Sequence, residues 1–290
     1  MREVDLFQAV TKTLREGPTS RRQMLRMIPA GVGAMLLSGS RAPAAEEHQP
    51  RAVATPRIPP TPSPKPSHRR HGPPDQQHRP RLSRPVFTLR EYRRAVPGPA
   101  FPGDAVALTI DDGPHPLWTP KILRLLHRHH VPATFCMIGN QVLGHEAIAR
   151  DVVRDGHQVA NHTWSHPTHL ARKPGTKVSK EIERAQDKIY STTGHAPALF
   201  RSPGGDWSST VLGAAATAGM VPLDWSDDPR DWSRPGTEAI RRRLLAARPG
   251  QILLCHDGGG DRSQTYAALK TVVPALKARG YRFIALDGRK

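Results

Sequence analysis

Seven short strand-like runs alternate with six helix-like runs across residues 98–290, and this alternation constrains the fold more than any other feature of the chain. The strand-like runs are Ala105–Ile110, Ala133–Ile138, His157–Ala160, Ala198–Phe200, Met220–Trp225, Gln251–Cys255 and Arg282–Leu286. Between them lie Thr119–His130, Val142–Asp155, Val178–Thr192, Ser208–Ala218, Thr237–Ala247 and Ser263–Arg279, which carry helical signals. Ile122, Leu125, Leu126 and His129 repeat at helical spacing behind Pro120, and Val178, Ile182, Ala185 and Ile189 form a second stripe. Strands that alternate with helices predict a parallel α/β architecture, because a parallel pair needs a long crossover between its strands. No internal repeat is visible, and this stretch is long enough to bury one proper core.

Chemistry in such folds gathers where strands end. Here the ends are polar in five places: Asp111-Asp112-Gly113-Pro114, Asn161-His162-Thr163-Trp164-Ser165-His166, Arg201-Ser202-Pro203-Gly204-Gly205, Asp227-Asp228-Pro229-Arg230-Asp231-Trp232 and His256-Asp257. His162 and His166 are four apart, a spacing that on a helical turn puts both rings on one face, able to share a metal. A carboxylate from another strand end would complete a His₂Asp set with positions left open. The adjacent Asp111 and Asp112 suit a division of labour in which one binds the metal and its neighbour acts as a base.

The motifs resemble those of the polysaccharide deacetylases, the NodB-homology domain of carbohydrate esterase family four. Thr109-Ile110-Asp111-Asp112-Gly113-Pro114 is similar to the family's T-F-D-D-G-P, and His162–His166 to its H-[ST]-x-x-H. Arg201-Ser202-Pro203 resembles R-x-P, Asp228–Trp232 resembles D-x-x-D-W, and Leu254-Cys255-His256 resembles L-x-H. All five occur in family order between about Ala105 and Leu286. The resemblance implies a deformed (β/α)7 barrel and zinc-dependent removal of acetyl groups from glycans, with Co2+ or another divalent ion as a substitute metal. It implies Asp112, His162 and His166 as metal ligands and Asp111 as general base. His256 becomes the acid that protonates the departing sugar nitrogen, and Arg201 orients Asp111. Asp231 pairs with Arg201 or His256 and tunes the acid. The Gly204 backbone N–H helps hold the oxyanion, and Trp232 walls the acetyl pocket or, on the plainer reading, belongs to the core. Two departures stand out. Gly204 occupies a position where the family often has an aromatic, and Ile110 replaces a phenylalanine.

The remaining third of the chain differs in composition. Residues 46–97 hold 12 prolines and eleven basic against four acidic residues, which reads as a disordered, Pro-rich basic linker. The whole chain carries a formal charge of +18, but the basic tract lacks interleaved aromatics and any nucleic-acid module. Nucleic acid is therefore not the expected partner, whereas anionic wall polymer is compatible with it. Residues 1–45 resemble a twin-arginine export signal: Arg21-Arg22 precedes an apolar run from Met27 to about Ser40, and Ala42-Pro43-Ala44 follows. That run is short for a bilayer span. The expected protein is an extracytoplasmic, monomeric enzyme that removes N-acetyl groups from wall polysaccharide, with peptidoglycan N-acetylglucosamine favoured. His256-Asp257-Gly258-Gly259-Gly260-Asp261-Arg262-Ser263 resembles loops of wall-acting members. Chitin oligomers and acetylxylan are the alternative substrates, and a non-catalytic glycan-binding relative is the alternative function. Cys136 and Cys255 both fall in strand-like runs and read as inert core rather than as a disulfide or a nucleophile.

Overall fold

A strand covered on both faces must be apolar or internally satisfied along its whole length, and β1 (Ala105–Asp111) is buried at every residue. A computed structural model describes residues 81–286 of the chain. In it β1 is the centre of a parallel sheet. On one side follow β2 (Thr134–Met137), β3 (Gln158–Asn161), β4 (Leu199–Phe200) and β5 (Val221–Pro222), in that order. On the other side β6 (Ile252–His256) pairs with Ala107–Asp111, while β7 (Arg282–Phe283) pairs with the first two residues of β1 through the Asp104 and Val106 carbonyls, on the edge that faces β2. The sheet curls with helices outside it, which is the expected deformed (β/α)7 barrel.

The pleat decides what faces inward. Val106, Leu108 and Ile110 of β1 join the core beneath the helices, together with Phe135, Met137, Val159, Leu253 and Cys255. Ala105 and Ala107 face the barrel interior with Cys136, Ala160, Leu199 and Ile252. With a side-chain period of two, Thr109 and Asp111 share the inner face of β1, His256 that of β6, and Arg201 follows Leu199 on β4. Three of the polar strand ends therefore converge because of register. Cys136 and Cys255 are free and buried, one in each core, and burial pushes both thiols up.

Eight α-helices are present among the described residues: α1 (Leu89–Ala95), α2 (Trp118–Arg128), α3 (Gly139–Val142), α4 (Glu146–Arg154), α5 (Gly175–Thr193), α6 (Ser209–Thr217), α7 (Thr237–Leu245) and α8 (Ser263–Ala278). The helix expected over 142–155 is interrupted: the chain turns at Gly144, whose φ is 93°, and restarts at Glu146. The stripe on α5 is buried as expected, at Val178, Ile182, Ala185 and Ile189.

One expectation is corrected. The linker assigned to 46–97 does not extend to 97, because residues 86–95 are part of the fold. Val86 bridges Leu223 in parallel and Thr88 bridges Gln251 in antiparallel, so this segment fills the seam between β5 and β6 at the base of the barrel. Further up the seam, Asp227 pairs directly with Leu253. Val86, Leu89, Tyr92 and Ala95 complete the interior core. The Thr88 hydroxyl accepts from the Glu91 N–H, and the Glu91 carboxylate accepts from the Phe87 N–H, a reciprocal cap that starts α1. Tyr92 is only 3% exposed, so Tyr92→Ala should cost about 3–5 kcal/mol, the usual cost of emptying a buried aromatic site. Chemical denaturation checks this, and a solvated linker would show no change. The export signal over 1–45 and the linker over 46–80 lie outside the described residues.

Candidate active site

Asp112 follows the last residue of β1 in a left-handed conformation, with φ 75°. A side-chain-bearing residue pays for that geometry, and such residues concentrate at functional sites. The turn needs a close neighbour without a Cβ: a methyl group at Gly258 would sit 2.0 Å from the Asp112 carbonyl oxygen. The loops after β1 and β6 therefore touch, and their side chains meet at the barrel mouth.

His162 directly follows β3 and is almost fully buried. Its Nδ1 lies 2.8 Å from the Arg201 carbonyl oxygen, which can only accept, so Nδ1 carries the proton. His162 Nε2 lies 3.5 Å from Asp112 Oδ1, and His166 Nε2 approaches the same oxygen at 3.3 Å. These separations are long for N–H···O hydrogen bonds, and Asp112 Oδ1 is buried with no hydrogen-bond partner. They match the edge of a tetrahedron built on ~2.05 Å metal–ligand bonds, about 3.3 Å. One ligand atom from each of Asp112, His162 and His166 lies within 4.8 Å of the others. Two ring nitrogens converging on a buried, orphaned carboxylate oxygen fit a divalent cation that would displace any proton between them. The rings do not meet on a helical turn, however. Residues 162–166 form an irregular loop in which Thr163 and His166 have φ of 68° and 53°.

Charge is unevenly shared in this cluster. Burial alone would raise the Asp112 carboxyl, but His162, His256 and His166 outweigh it and hold it far below the usual carboxylate range. Burial pulls His162 down, yet the two aspartates and the Arg201 carbonyl leave it raised. His166, half-buried and facing His162, is lowered by burial and by that neighbouring charge.

Asp111 turns its other side to Arg201. Arg201 Nη1 donates to Asp111 Oδ1 at 2.7 Å and to the Thr109 hydroxyl at 2.8 Å, and Nη2 donates to the Asp224 carbonyl at 3.0 Å. Arg201 is completely buried, so Asp111 is its buried counter-ion. Asp111 Oδ2 faces the His162 ring at 3.7 Å. Asp231 belongs to His256 rather than to Arg201. The His256 Nδ1–H donates to Asp231 Oδ1 at 2.7 Å, its backbone N–H to Oδ2 at 2.9 Å, and the Thr265 hydroxyl to Oδ2 at 2.8 Å. Burial would lower His256, but the Asp231 hydrogen bond and charge raise it to about 9. Its Nε2 carries the second proton at neutral pH.

Gly204 is exposed, with φ 62° and no atom within 4 Å of where a Cβ would stand, so the aromatic that the family often places there leaves open space. Trp232 is 48% exposed, which removes the core reading. Two buried groups in the site were not given roles by the sequence. Asp257 accepts from the Thr119 hydroxyl at 2.5 Å, and burial together with Asp112 and Asp111 pushes it up to about 7. Arg262 donates to the Gly258, Gly259 and Trp232 carbonyls and ties their loops together. Asp257 was visible as the neighbour of His256, whereas no local spacing marks Arg262. A cavity of about 410 Å³, lined by Leu89, Arg93, Phe101 and Pro249 among others, lies at the opposite end of the barrel and contains none of these groups.

The sequence model of polysaccharide deacetylases matches residues 99–223. A chitooligosaccharide deacetylase of Bradyrhizobium sp. (strain ANU 289) is 42% identical over 210 residues, which are 68% of this chain and 94% of that protein. A peptidoglycan-N-acetylglucosamine deacetylase of Bacillus cereus is 40% identical over 185 residues, 63% of this chain and 86% of that one. Among solved structures, the Bc1960 peptidoglycan N-acetylglucosamine deacetylase superposes with a TM-score of 0.62 at 32% identity, over 69% of this chain and 89% of that chain. A CE4 family pseudoenzyme of Bacillus anthracis, BA3943, superposes with a TM-score of 0.58 at 28% identity, over 62% and 63%. Likeness that spans nearly the full length of the Bradyrhizobium protein, together with the fold and the five strand-end motifs, establishes that this chain belongs to the polysaccharide deacetylase family.

Proposed function

We propose that this protein is a zinc-dependent deacetylase that hydrolyses the N-acetyl groups of N-acetylglucosamine in cell-wall polysaccharide, with peptidoglycan as its substrate. The observation that carries the reading is the convergence of His162 Nε2, His166 Nε2 and the partnerless Asp112 Oδ1 beside an Asp111 held by a buried arginine.

When bound, zinc supplies a Lewis acid that polarises the acetyl carbonyl and makes water acidic enough to attack it near neutral pH. The chain's own groups do the rest. Arg201 fixes Asp111 Oδ1, which leaves Oδ2 facing the site to accept the proton of the attacking water. The exposed Gly204 segment offers its backbone N–H to the oxygen on which negative charge develops. His256 is fixed by Asp231 through Nδ1, so its Nε2 proton is the one delivered to the sugar nitrogen as the C–N bond breaks. An amine cannot leave as an anion, and this proton transfer is what allows it to depart. Water is consumed, and acetate and the free amino sugar are released. Exposed Trp232 offers an apolar wall to the acetyl methyl group.

Relatives named for chitooligosaccharide and for peptidoglycan match at similar identity, so the choice of wall polymer rests on other features. These are the twin-arginine-like segment at Arg21-Arg22 and the proline-rich basic tract after it, which suit a protein exported to an anionic wall. Purified protein should release acetate faster from peptidoglycan than from chitin oligomers or acetylxylan. Faster release from chitin oligomers would move the assignment to the alternative substrate, and no release from any of them would leave a glycan-binding relative. Changing Arg21 and Arg22 together to lysine should retain the precursor in the cytoplasm. Unchanged export, followed by fractionation, would remove the twin-arginine reading.

A further inference from the structure

We infer that Glu181 and Arg184, on the exposed side of α5, are positioning residues that hold the loop between His162 and His166 in its metal-binding shape. The inference rests on the metal reading above.

Within the loop the His166 N–H donates to the Thr163 hydroxyl at 3.1 Å, and its other supports come from outside it. Thr163 and His166 both adopt left-handed backbone, at φ 68° and 53°, a strained conformation for a side-chain-bearing residue that persists only where surrounding contacts over-determine it. The two ligands are also unequally supported. His162 is buried and its ring is fixed by the Arg201 carbonyl. The His166 side chain is 38% exposed, against 3% for His162. Its placement therefore depends on the backbone of the loop.

That backbone is gripped from two sides. At the start of α3, the Gly139 N–H donates to the Thr163 carbonyl and the Asn140 N–H to the Trp164 carbonyl, each at 2.9 Å. From the other side comes α5, at two consecutive loop residues. Glu181 accepts from the Ser165 N–H at 2.8 Å and from its hydroxyl at 2.9 Å. The Arg184 guanidinium lies over the Trp164 ring, 3.6 Å from its centroid. Glu181 and Arg184 are three residues apart and so share one helix face, beside the buried stripe that anchors α5 to the barrel. The Asn161 side chain adds a third tie, donating to the Ile182 carbonyl and accepting from the Thr163 N–H. The residue just before His166 is thus fastened by a carboxylate that is not one of the three candidate ligands.

Loss of groups that orient metal ligands typically costs 10–100-fold in affinity. The experiment is zinc competition against a chromophoric chelator, with the full chain stripped of metal and reloaded. Glu181→Ala combined with Arg184→Ala should weaken zinc binding 10–100-fold and change the visible spectrum of the Co2+-loaded protein, while kcat at saturating zinc stays within about threefold of the parent. Glu181→Gln keeps an oxygen that can accept from the Ser165 N–H and should recover most of the affinity. Parent-like zinc affinity in the double variant overturns the inference. So does weakened binding that Glu181→Gln fails to restore at all, because the hydrogen bond to Ser165 would then not be the cause. A parent protein that binds no zinc overturns the metal reading, and this inference with it.

Discussion

Replacing either His162 or His166 by alanine is expected to remove most of the bound zinc and, with it, essentially all acetate release. Three protein ligands are the usual minimum for a catalytic zinc site, and Asp112 with a single imidazole does not reach it. The two variants should differ in character. His162 is buried, hydrogen-bonded to Arg201, and has its pKa raised by Asp111 and Asp112 despite its burial, so a cation must displace a proton from it. Zinc affinity of the parent should therefore fall as the pH is lowered through the raised His162 pKa. His166→Ala should keep that pH dependence in whatever weak binding survives, and His162→Ala should lose it. Metal content after exhaustive dialysis, followed by affinity measured across pH, checks both statements. Stoichiometric zinc in either variant would sink the ligand assignment.

Much of this site was legible because strand ends in a parallel barrel share one rim, so five polar clusters separated by long stretches of sequence had to meet. What the sequence could not show was the register that aims them. Asp111, Arg201 and His256 point inward because Ala105, Leu199 and Ile252 do, and the pleat repeats every second residue. The histidine pair was found by spacing and misread in conformation. Four residues apart suits a helical turn, but Thr163 and His166 take backbone geometry that side chains of that kind seldom adopt. Asp231 had two possible partners in sequence, and only the fold places it on His256. The segment around α1 was hidden by its company, since prolines and arginines dominate the tract before it. The Thr88-x-x-Glu91 cap was the local signal for a helix there, and its role in filling the seam beside Leu223 and Gln251 depends on strands more than a hundred residues away. Strands β4, β5 and β7 are only two residues each, shorter than the apolar runs that announced them.

Asp111→Asn should lower turnover by roughly 10²–10⁴-fold, the usual worth of a positioned acid or base, while zinc remains bound. The carboxamide is nearly isosteric, and Asp112 and the histidines still supply three ligands. Its structural cost must be separated from its chemical one. Asp111 is the counter-ion of a fully buried Arg201, and breaking one side of a buried ion pair typically costs about 3–5 kcal/mol. The variant should be assayed well below its lowered melting temperature. Asp112→Asn should instead release zinc, because a neutral amide replaces the anionic ligand.

The pH profile then tests the acid. The alkaline limb belongs to His256, which must be protonated to act. Burial lowers its pKa, but Asp231 raises it to about 9, so the rate should fall as pH rises toward that value. A cation at Asp112 cancels the smaller upward push of that carboxylate and brings the limb somewhat below 9. Asp231→Asn removes the main upward cause and leaves the burial, so the limb should move toward or below the 6.5 of an ordinary imidazole. His256→Ala should abolish it. Loss of zinc from Asp111→Asn, with zinc and activity retained in Asp112→Asn, would exchange the roles of the two aspartates. Full activity with bound zinc in Asp111→Asn would place the base elsewhere. An alkaline limb that does not respond to Asp231→Asn would detach Asp231 from the acid, although its two oxygens take the His256 ring and backbone N–H at 2.7 and 2.9 Å.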